Sequence, residues 1–134
     1  MEVFFYQPSD EYLKFSCNLI HKLYNQSKRI LIFAPSKDIA VIDDMLWSFN
    51  KTSFLPHACA LSSGHDKHPI YITDNVLSGN INNADCVVSF VADEKINFVN
   101  EVYIIINNDN KNEARGLFKA LKSKNIKLHY SEEV

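Results

Sequence analysis

Short apolar runs that alternate with helix-like segments constrain the fold of this chain more than any other feature. The runs are rich in β-branched and aromatic residues, which is typical of strands buried on both faces of a parallel sheet. They are Val3–Tyr6, Arg29–Ala34, Pro69–Thr73, Cys86–Val91 and Val102–Ile106, with Lys127–Tyr130 as a closing strand.

Three helices are predicted between these runs, because apolar residues recur there at intervals of three and four. The helices run from the capping residues Ser9 and Asp10 to about Tyr24, from Pro35 and Ser36 to about Phe49, and from about Lys111 to Lys124. Alternating strands and helices favour right-handed crossovers and a mainly parallel sheet with both faces covered. The prediction is therefore a single three-layer, Rossmann-like α/β domain spanning residues 1–134.

Composition excludes several classes of protein. Apolar residues make up 46% of the chain and charged residues 22%, which are ordinary values for a globular protein. A net charge of −2 is no global reason to expect nucleic acid or an anionic membrane as partner. The start Met1-Glu2-Val3 lacks the features of a signal peptide, and no apolar stretch approaches the ~20 residues that span a bilayer. We therefore expect a cytoplasmic protein.

The glycines of the chain argue against a phosphate-binding loop. Gly64, Gly79 and Gly116 are too far apart to form G-x-G-x-x-G or G-x-x-x-x-G-K-[ST]. The turns after the first two strands carry Pro8 and Pro35 instead, and proline has no N–H to offer to a phosphate. We therefore predict that the chain binds no cofactor.

A metal site is one alternative function for the middle of the chain. His65 and His68 are three residues apart, and His57 or Cys59 could complete a set of ligands. Tetrahedral zinc requires convergent ligands, however, and loop residues of this kind are more often solvated. We predict no metal site.

The candidate catalytic residues also lack partners. Cys17 lies on the apolar stripe of the first helix, where cysteine usually behaves as a small buried hydrophobe. Asp43 and Asp44 are adjacent on a helix and point about 100° apart, so a solvated face explains them better than an acid–base pair. The sequence therefore predicts a protein without an active site.

Trp47 lies outside the predicted core of the second helix. The core stripe of that helix is formed by Ile39, Ile42, Leu46 and Phe49, and Trp47 points about 120° from its centre. The indole is predicted to be partly exposed beside the segment that carries Phe54 and Pro56. Two interpretations stay open: a small cluster packed under that segment, or an aromatic anchor for another protein.

The last predicted helix has a concentrated basic face. Six of the fourteen Lys and Arg residues lie between Lys111 and Lys127, where Glu113 is the only acid. Lys111, Arg115 and Lys119 follow one another at intervals of four, with Phe118 between them and the core. Such a face suits an acidic peptide with a hydrophobic end, because Arg115 can bind a carboxylate bidentately while Phe118 packs an apolar side chain. Direct binding of single-stranded DNA by this helix, or a small nucleotide-binding α/β enzyme that uses the strand ends, are the alternatives.

Short motifs follow one another in order along nearly the whole chain. They are Phe4-Phe5-Tyr6, Cys17-x-Leu19-x-x-Lys22-x-Tyr24, Arg29-Ile30-Leu31-Ile32, Asp43-Asp44-x-Leu46-Trp47-x-Phe49, Ser53-Phe54-Leu55-Pro56-His57, Pro69-Ile70, Ala114-Arg115 and Phe118-Lys119-Ala120. In this order and spacing they resemble the chi-subunit family of bacterial DNA polymerase III holoenzyme. Asn125 stands where the last helix of that family often ends in glycine, and asparagine tolerates the same left-handed cap.

The resemblance implies a noncatalytic adaptor of DNA replication. Chi subunits join the clamp-loader complex through the psi subunit and bind the acidic, Phe-ended C-terminal tail of single-stranded-DNA-binding protein. By this resemblance the residues expected to contact psi are Trp47, Phe54 and Pro56. The residues expected to bind the tail are Lys111, Arg115, Phe118 and Lys119. Any contact of the chain with DNA is expected to be indirect.

Overall fold

The computed structural model describes residues 1–8, 11–48, 56–59 and 68–133. These residues form three α-helices and seven β-strands. In chain order the elements are β1 (Glu2–Pro8), α1 (Tyr12–Asn25), β2 (Ile30–Phe33), α2 (Ser36–Ser48), β3 (His57–Cys59), β4 (Ile70–Thr73), β5 (Cys86–Ser89), β6 (Glu101–Ile105), α3 (Lys111–Lys122) and β7 (Lys127–Glu133). A short 3-10 helix, Val76–Ser78, lies between β4 and β5.

All seven strands belong to one sheet in the order β3-β4-β2-β5-β6-β1-β7, and every neighbouring pair is parallel. Alternate side chains of a strand point to opposite faces, so each central strand contributes to two cores. In β2, Ile30 and Ile32 join the core under α1 and α2, whereas Leu31 and Phe33 join the core under α3. The predicted α/β fold, with a parallel sheet covered on both faces, is confirmed.

The structure differs from the prediction at one edge of the sheet and at the start of α1. No strand is predicted from the sequence between Ala34 and Pro69, but His57–Cys59 pairs with β4 as an edge strand. Three residues are too few to show an alternating pattern, which is why the sequence does not reveal this strand. The predicted caps Ser9 and Asp10 lie outside the described residues, and α1 begins at Tyr12.

Asn125 adopts the left-handed conformation that the sequence predicts for the end of the last helix. This residue has a φ of 58°, in the left-handed region that asparagine tolerates better than most residues. The chain therefore reverses direction soon after α3 and enters β7 at Lys127.

Asn110 fixes the beginning of α3 against the sheet. Its side chain is buried, and its amide nitrogen donates to the carbonyls of Phe90 at 2.9 Å and Ile105 at 2.8 Å. Its amide oxygen accepts a hydrogen bond of 2.8 Å from the backbone of Asn107. Because a buried amide is costly unless its hydrogen bonds are made, this arrangement favours one position of α3 over β5 and β6.

All three cysteines are buried: Cys17 is 2% exposed, Cys86 is 0% exposed, and Cys59 at the end of the edge strand β3 is 7% exposed. Burial raises the pKa of Cys17 to about 11 and that of Cys86 to about 12. The prediction that Cys17 is a buried hydrophobe is confirmed. No helix among the described residues is both long and apolar enough to cross a membrane.

Gly116 offers a stability test. It is exposed in the middle of α3, and a Cβ built on it would meet no atom within 4 Å. Gly116→Ala should therefore stabilise the protein by about 0.5–1 kcal/mol, because alanine loses less backbone entropy in a helix. Chemical denaturation measures the change, and a loss of stability would show that the helix needs glycine here.

Thiol reactivity tests the burial of the cysteines. At pH 8 the Cys17 and Cys86 thiols are protonated as well as buried, and the thiolate is the reactive form. At most one of the three thiols should react with Ellman's reagent in the folded protein, and all three should react after denaturation. Rapid reaction of two or more thiols in the folded protein would contradict this assignment.

Candidate functional site

An open cavity of about 500 Å³ lies between α3 and the carboxyl ends of β1 and β7. We call it the α3 groove. It is lined by Phe5, Gln7, Ile106, Lys111, Ala114, Arg115, Phe118, Lys119, Tyr130 and Glu132. The structure thus brings together the four residues that the basic-face interpretation singled out, Lys111, Arg115, Phe118 and Lys119.

Strand register and helical spacing explain why these side chains meet. Phe5 pairs with Tyr130 and Gln7 pairs with Glu132 in the parallel ladder between β1 and β7. Partners in register, and residues two apart on a strand, project from the same face of the sheet. This face lies under α3, so the four strand residues form one wall of the groove and α3 forms the other.

The floor of the groove is aromatic. Phe118 is half-buried, and its ring meets that of the fully buried Phe5 edge to face, with centroids 5.2 Å apart. Such a contact stabilises both rings by up to about 1.5 kcal/mol beyond the area that they bury. Phe118 is therefore fixed by the core while part of its ring is available to a ligand.

The rim of the groove is cationic. Lys111 is half-buried, whereas Arg115 and Lys119 are exposed. Within the described part of the chain, none of these three side chains lies within 4.0 Å of a carboxylate. Because they are not engaged in internal ion pairs, their charges can act on an anionic ligand.

The opposite wall is polar. The Tyr130 hydroxyl lies 2.7 Å from Oε1 of Gln7 and 3.0 Å from Oε1 of Glu132. Partial burial raises the pKa of Tyr130, the Glu132 carboxylate raises it further, and the positive charge of Arg115 opposes both. The Arg115 guanidinium is thus close enough to influence the hydroxyl across the groove.

Trp47 lies at a second surface, on α2. Its indole is 50% exposed, which confirms the prediction of a partly exposed aromatic. The ring packs against that of His57, with centroids 4.4 Å apart. The contact covers part of the indole, and half of the residue's surface stays exposed.

His57 also corrects the prediction for Asp43. Its Nε2 lies 3.0 Å from Oδ1 of Asp43, and its side chain is fully buried. Asp43 is therefore not simply solvated, whereas Asp44 is exposed as expected. The described residues contain no group of three His, Cys, Asp or Glu side chains arranged to bind a metal. His65 lies outside the described residues, so the prediction of no metal site at His65 and His68 stays a prediction.

The residues grouped with Trp47 are described only in part. Pro56 is half-buried and immediately precedes His57, which carries the chain next to the indole. Phe54 lies outside the described residues. The Trp47 surface is on the α1 and α2 side of the sheet, near β3, and the α3 groove is on the other side, beside β7. The two surfaces therefore lie on opposite faces and near opposite edges of the sheet.

The carboxyl ends of β1 and β6 form a separate cavity of about 390 Å³, where an α/β fold would bind a nucleotide. It is lined by Pro8, Glu11, Tyr12, Ile106, Asn107, Asn108 and Asp109. A phosphate would meet the carboxylates of Glu11 and Asp109 there, without glycine or a basic side chain among these lining residues. This lining argues against the nucleotide-binding alternative.

Sequence reasoning missed the strand wall of the groove. Gln7, in β1, precedes Tyr130 of β7 by 123 residues, and only the parallel pairing of these strands places it beside Tyr130 and Glu132. The alternation of Phe5 with Gln7, and of Tyr130 with Glu132, indicated which residues share a face. It did not indicate which strands are neighbours.

Two comparisons with known proteins bear on the family of this chain. The model of the family described as "DNA polymerase III chi subunit, HolC" matches residues 1–129. A curated relative, the probable DNA polymerase III subunit chi of Rickettsia prowazekii (strain Madrid E), is 32% identical over 85 residues. That alignment covers 62% of this chain and about half of the relative's length, 50%. Because the family model covers nearly the whole sequence, the chain belongs to the DNA polymerase III chi-subunit family, an accessory-subunit family of DNA replication.

Proposed function

We propose that this chain is a noncatalytic adaptor that connects the psi subunit of the clamp-loader complex to the C-terminal tail of single-stranded-DNA-binding protein. The observation that carries the proposal is the α3 groove, in which three cations converge beside an aromatic floor and form no ion pair with any residue that the structure describes. Family membership supports a role in DNA polymerase III. Binding of psi and of the tail goes beyond family membership and is what we propose.

The groove suits a peptide that is both acidic and hydrophobic at its end. Arg115 lies in the middle of the row and can donate two parallel hydrogen bonds to one carboxylate, which lysine cannot do. Lys111 and Lys119 flank it and attract acidic residues by screened Coulomb interaction. The exposed part of Phe118 then packs an apolar side chain of the ligand. A single aromatic contact and one bidentate pair support micromolar affinity, which corresponds to a binding free energy of about −8 kcal/mol.

The Trp47 surface suits a different, apolar partner such as psi. A half-exposed tryptophan whose other side packs on a buried ring is already ordered, so binding costs little side-chain entropy. Tryptophan is also the residue type most often found as an interface hot spot. Since the Trp47 surface and the α3 groove lie on opposite faces of the sheet, both partners can bind at once.

Titration with the tail peptide tests the groove. Arg115→Ala should weaken binding about tenfold, because a bidentate charge-assisted pair is lost. Lys111→Ala should weaken it less and mainly reduce the salt dependence, whereas Phe118→Ala should weaken it at every ionic strength. Lys122→Ala is the matched control, because Lys122 is exposed on the same helix but does not line the groove.

Isothermal titration calorimetry with two peptides distinguishes this site from a general charge effect. The second peptide lacks the final Phe and should bind clearly more weakly. Equal binding of both peptides, or equal effects of Arg115→Ala and Lys122→Ala, would contradict the assignment of the groove. Binding of a bare oligonucleotide with a steep salt dependence would instead favour direct contact with DNA.

Replacement of Trp47 tests the second surface. Trp47→Ala should weaken psi binding by about 2 kcal/mol or more while the fold is retained, because the exposed side of the indole is lost from the interface. Leu77→Ala is the control, since Leu77 is 77% exposed and its neighbour Val76 packs on the α3 side of the sheet. A collapse of the thermal unfolding transition in Trp47→Ala would show that the indole is needed mainly for the core.

A further inference from the structure

The α3 groove contains an anion of its own. Among its described lining residues, Glu132 is the single carboxylate, opposite the basic side chains of Lys111, Arg115 and Lys119. Binding of an acidic ligand does not explain this carboxylate. Its negative charge repels the same ligand that the three cations attract.

The backbone of Glu132 belongs to the sheet. It pairs in register with Gln7 in the ladder between β7 and β1, and the ladder continues to the pair of Pro8 with Glu133. The side chain is also engaged, because its Oε1 lies 3.0 Å from the Tyr130 hydroxyl. The ladder therefore sets the position of Glu132 on the groove wall, and its carboxylate lies beside the Tyr130 hydroxyl.

Glu132 is not neutralised by the rim cations. Within the described residues, no Lys or Arg nitrogen lies within 4.0 Å of its carboxylate. The Tyr130 hydroxyl lies 3.0 Å from the Glu132 carboxylate and 2.7 Å from the Gln7 amide oxygen, and because neither group is a cation, neither balances the charge of Glu132. The groove thus combines three positive charges with one built-in negative charge.

We propose that Glu132 sets the affinity of the α3 groove by acting as an internal competitor of the acidic ligand. Its charge offsets part of the attraction exerted by Arg115 and the flanking lysines, so that the apolar contact with Phe118 is required for stable binding. This inference rests on the proposed function, since it assumes that the groove binds an acidic, hydrophobic-ended peptide. It implies that the protein binds the peptide more weakly than the same groove would bind it without the charge of Glu132.

The charge of Glu132 can be removed without removing its hydrogen-bonding capacity. Glu132→Gln should tighten binding of the tail peptide about threefold to fivefold at ~0.1 M NaCl, where partly exposed charges still interact over about 10 Å. At ~1 M NaCl the gain should nearly vanish, because screening is then almost complete. Glu113→Gln is the matched control: it changes the net charge equally on an exposed residue of α3 outside the groove lining.

A second measurement tests the geometry without any ligand. Because the Glu132 carboxylate contributes to the raised pKa of Tyr130, Glu132→Gln should lower that pKa and Glu113→Gln should leave it unchanged. Nuclear magnetic resonance of tyrosine-labelled protein can follow the titration of Tyr130 separately from the other five tyrosines.

The outcomes separate this inference from the proposed function. If wild-type protein binds the peptide but Glu132→Gln has no effect, weakens binding or behaves like Glu113→Gln, the inference is wrong and the groove assignment stands. A gain that survives at ~1 M NaCl also overturns it, since the effect is then not electrostatic. If neither wild-type protein nor Glu132→Gln binds the peptide, both the inference and the proposed function fail.

Discussion

Burial of both faces of one parallel sheet is the constraint on which the rest of this structure depends. The central strands are only four or five residues long, and successive side chains enter two different cores. Each core needs its own cover, because parallel strands with one bare face would leave large apolar side chains in water. α1 and α2 cover one face and α3 covers the other. The position of every surface site follows from this division.

The α3 groove is a consequence of covering a broad face with one helix. Ala114, Leu117 and Leu121 pack on the sheet, and Asn110 joins the start of the helix to the ends of β5 and β6. Beside that stripe, the helix cannot cover the carboxyl ends of β1 and β7, so a cavity with an aromatic floor remains. The same amphipathic helix therefore stabilises the core with one side and presents the charged rim with the next.

The Trp47 surface depends on a different interaction, between a buried histidine and a half-buried carboxylate. His57 begins the short edge strand β3, and its contact with Asp43 joins that strand to α2. The histidine ring in turn supports one side of the indole. A half-exposed aromatic residue is thereby ordered by contacts within the fold itself.

The sequence by itself determined the class of the fold, the buried stripe of α2 at Ile39, Ile42 and Leu46, and the spacing of the basic residues on α3, because these features depend on local periodicity. It also placed Trp47 outside the core, since one helix determines that angle. The tertiary structure alone decided that β7 pairs with β1, and so brought Gln7, Tyr130 and Glu132 opposite α3. It likewise decided that His57 is buried against Asp43 and Trp47. Strand order and contacts between distant segments depend on how the two cores are packed at the same time. A local pattern contains no information about which distant segment fills the remaining place in a core.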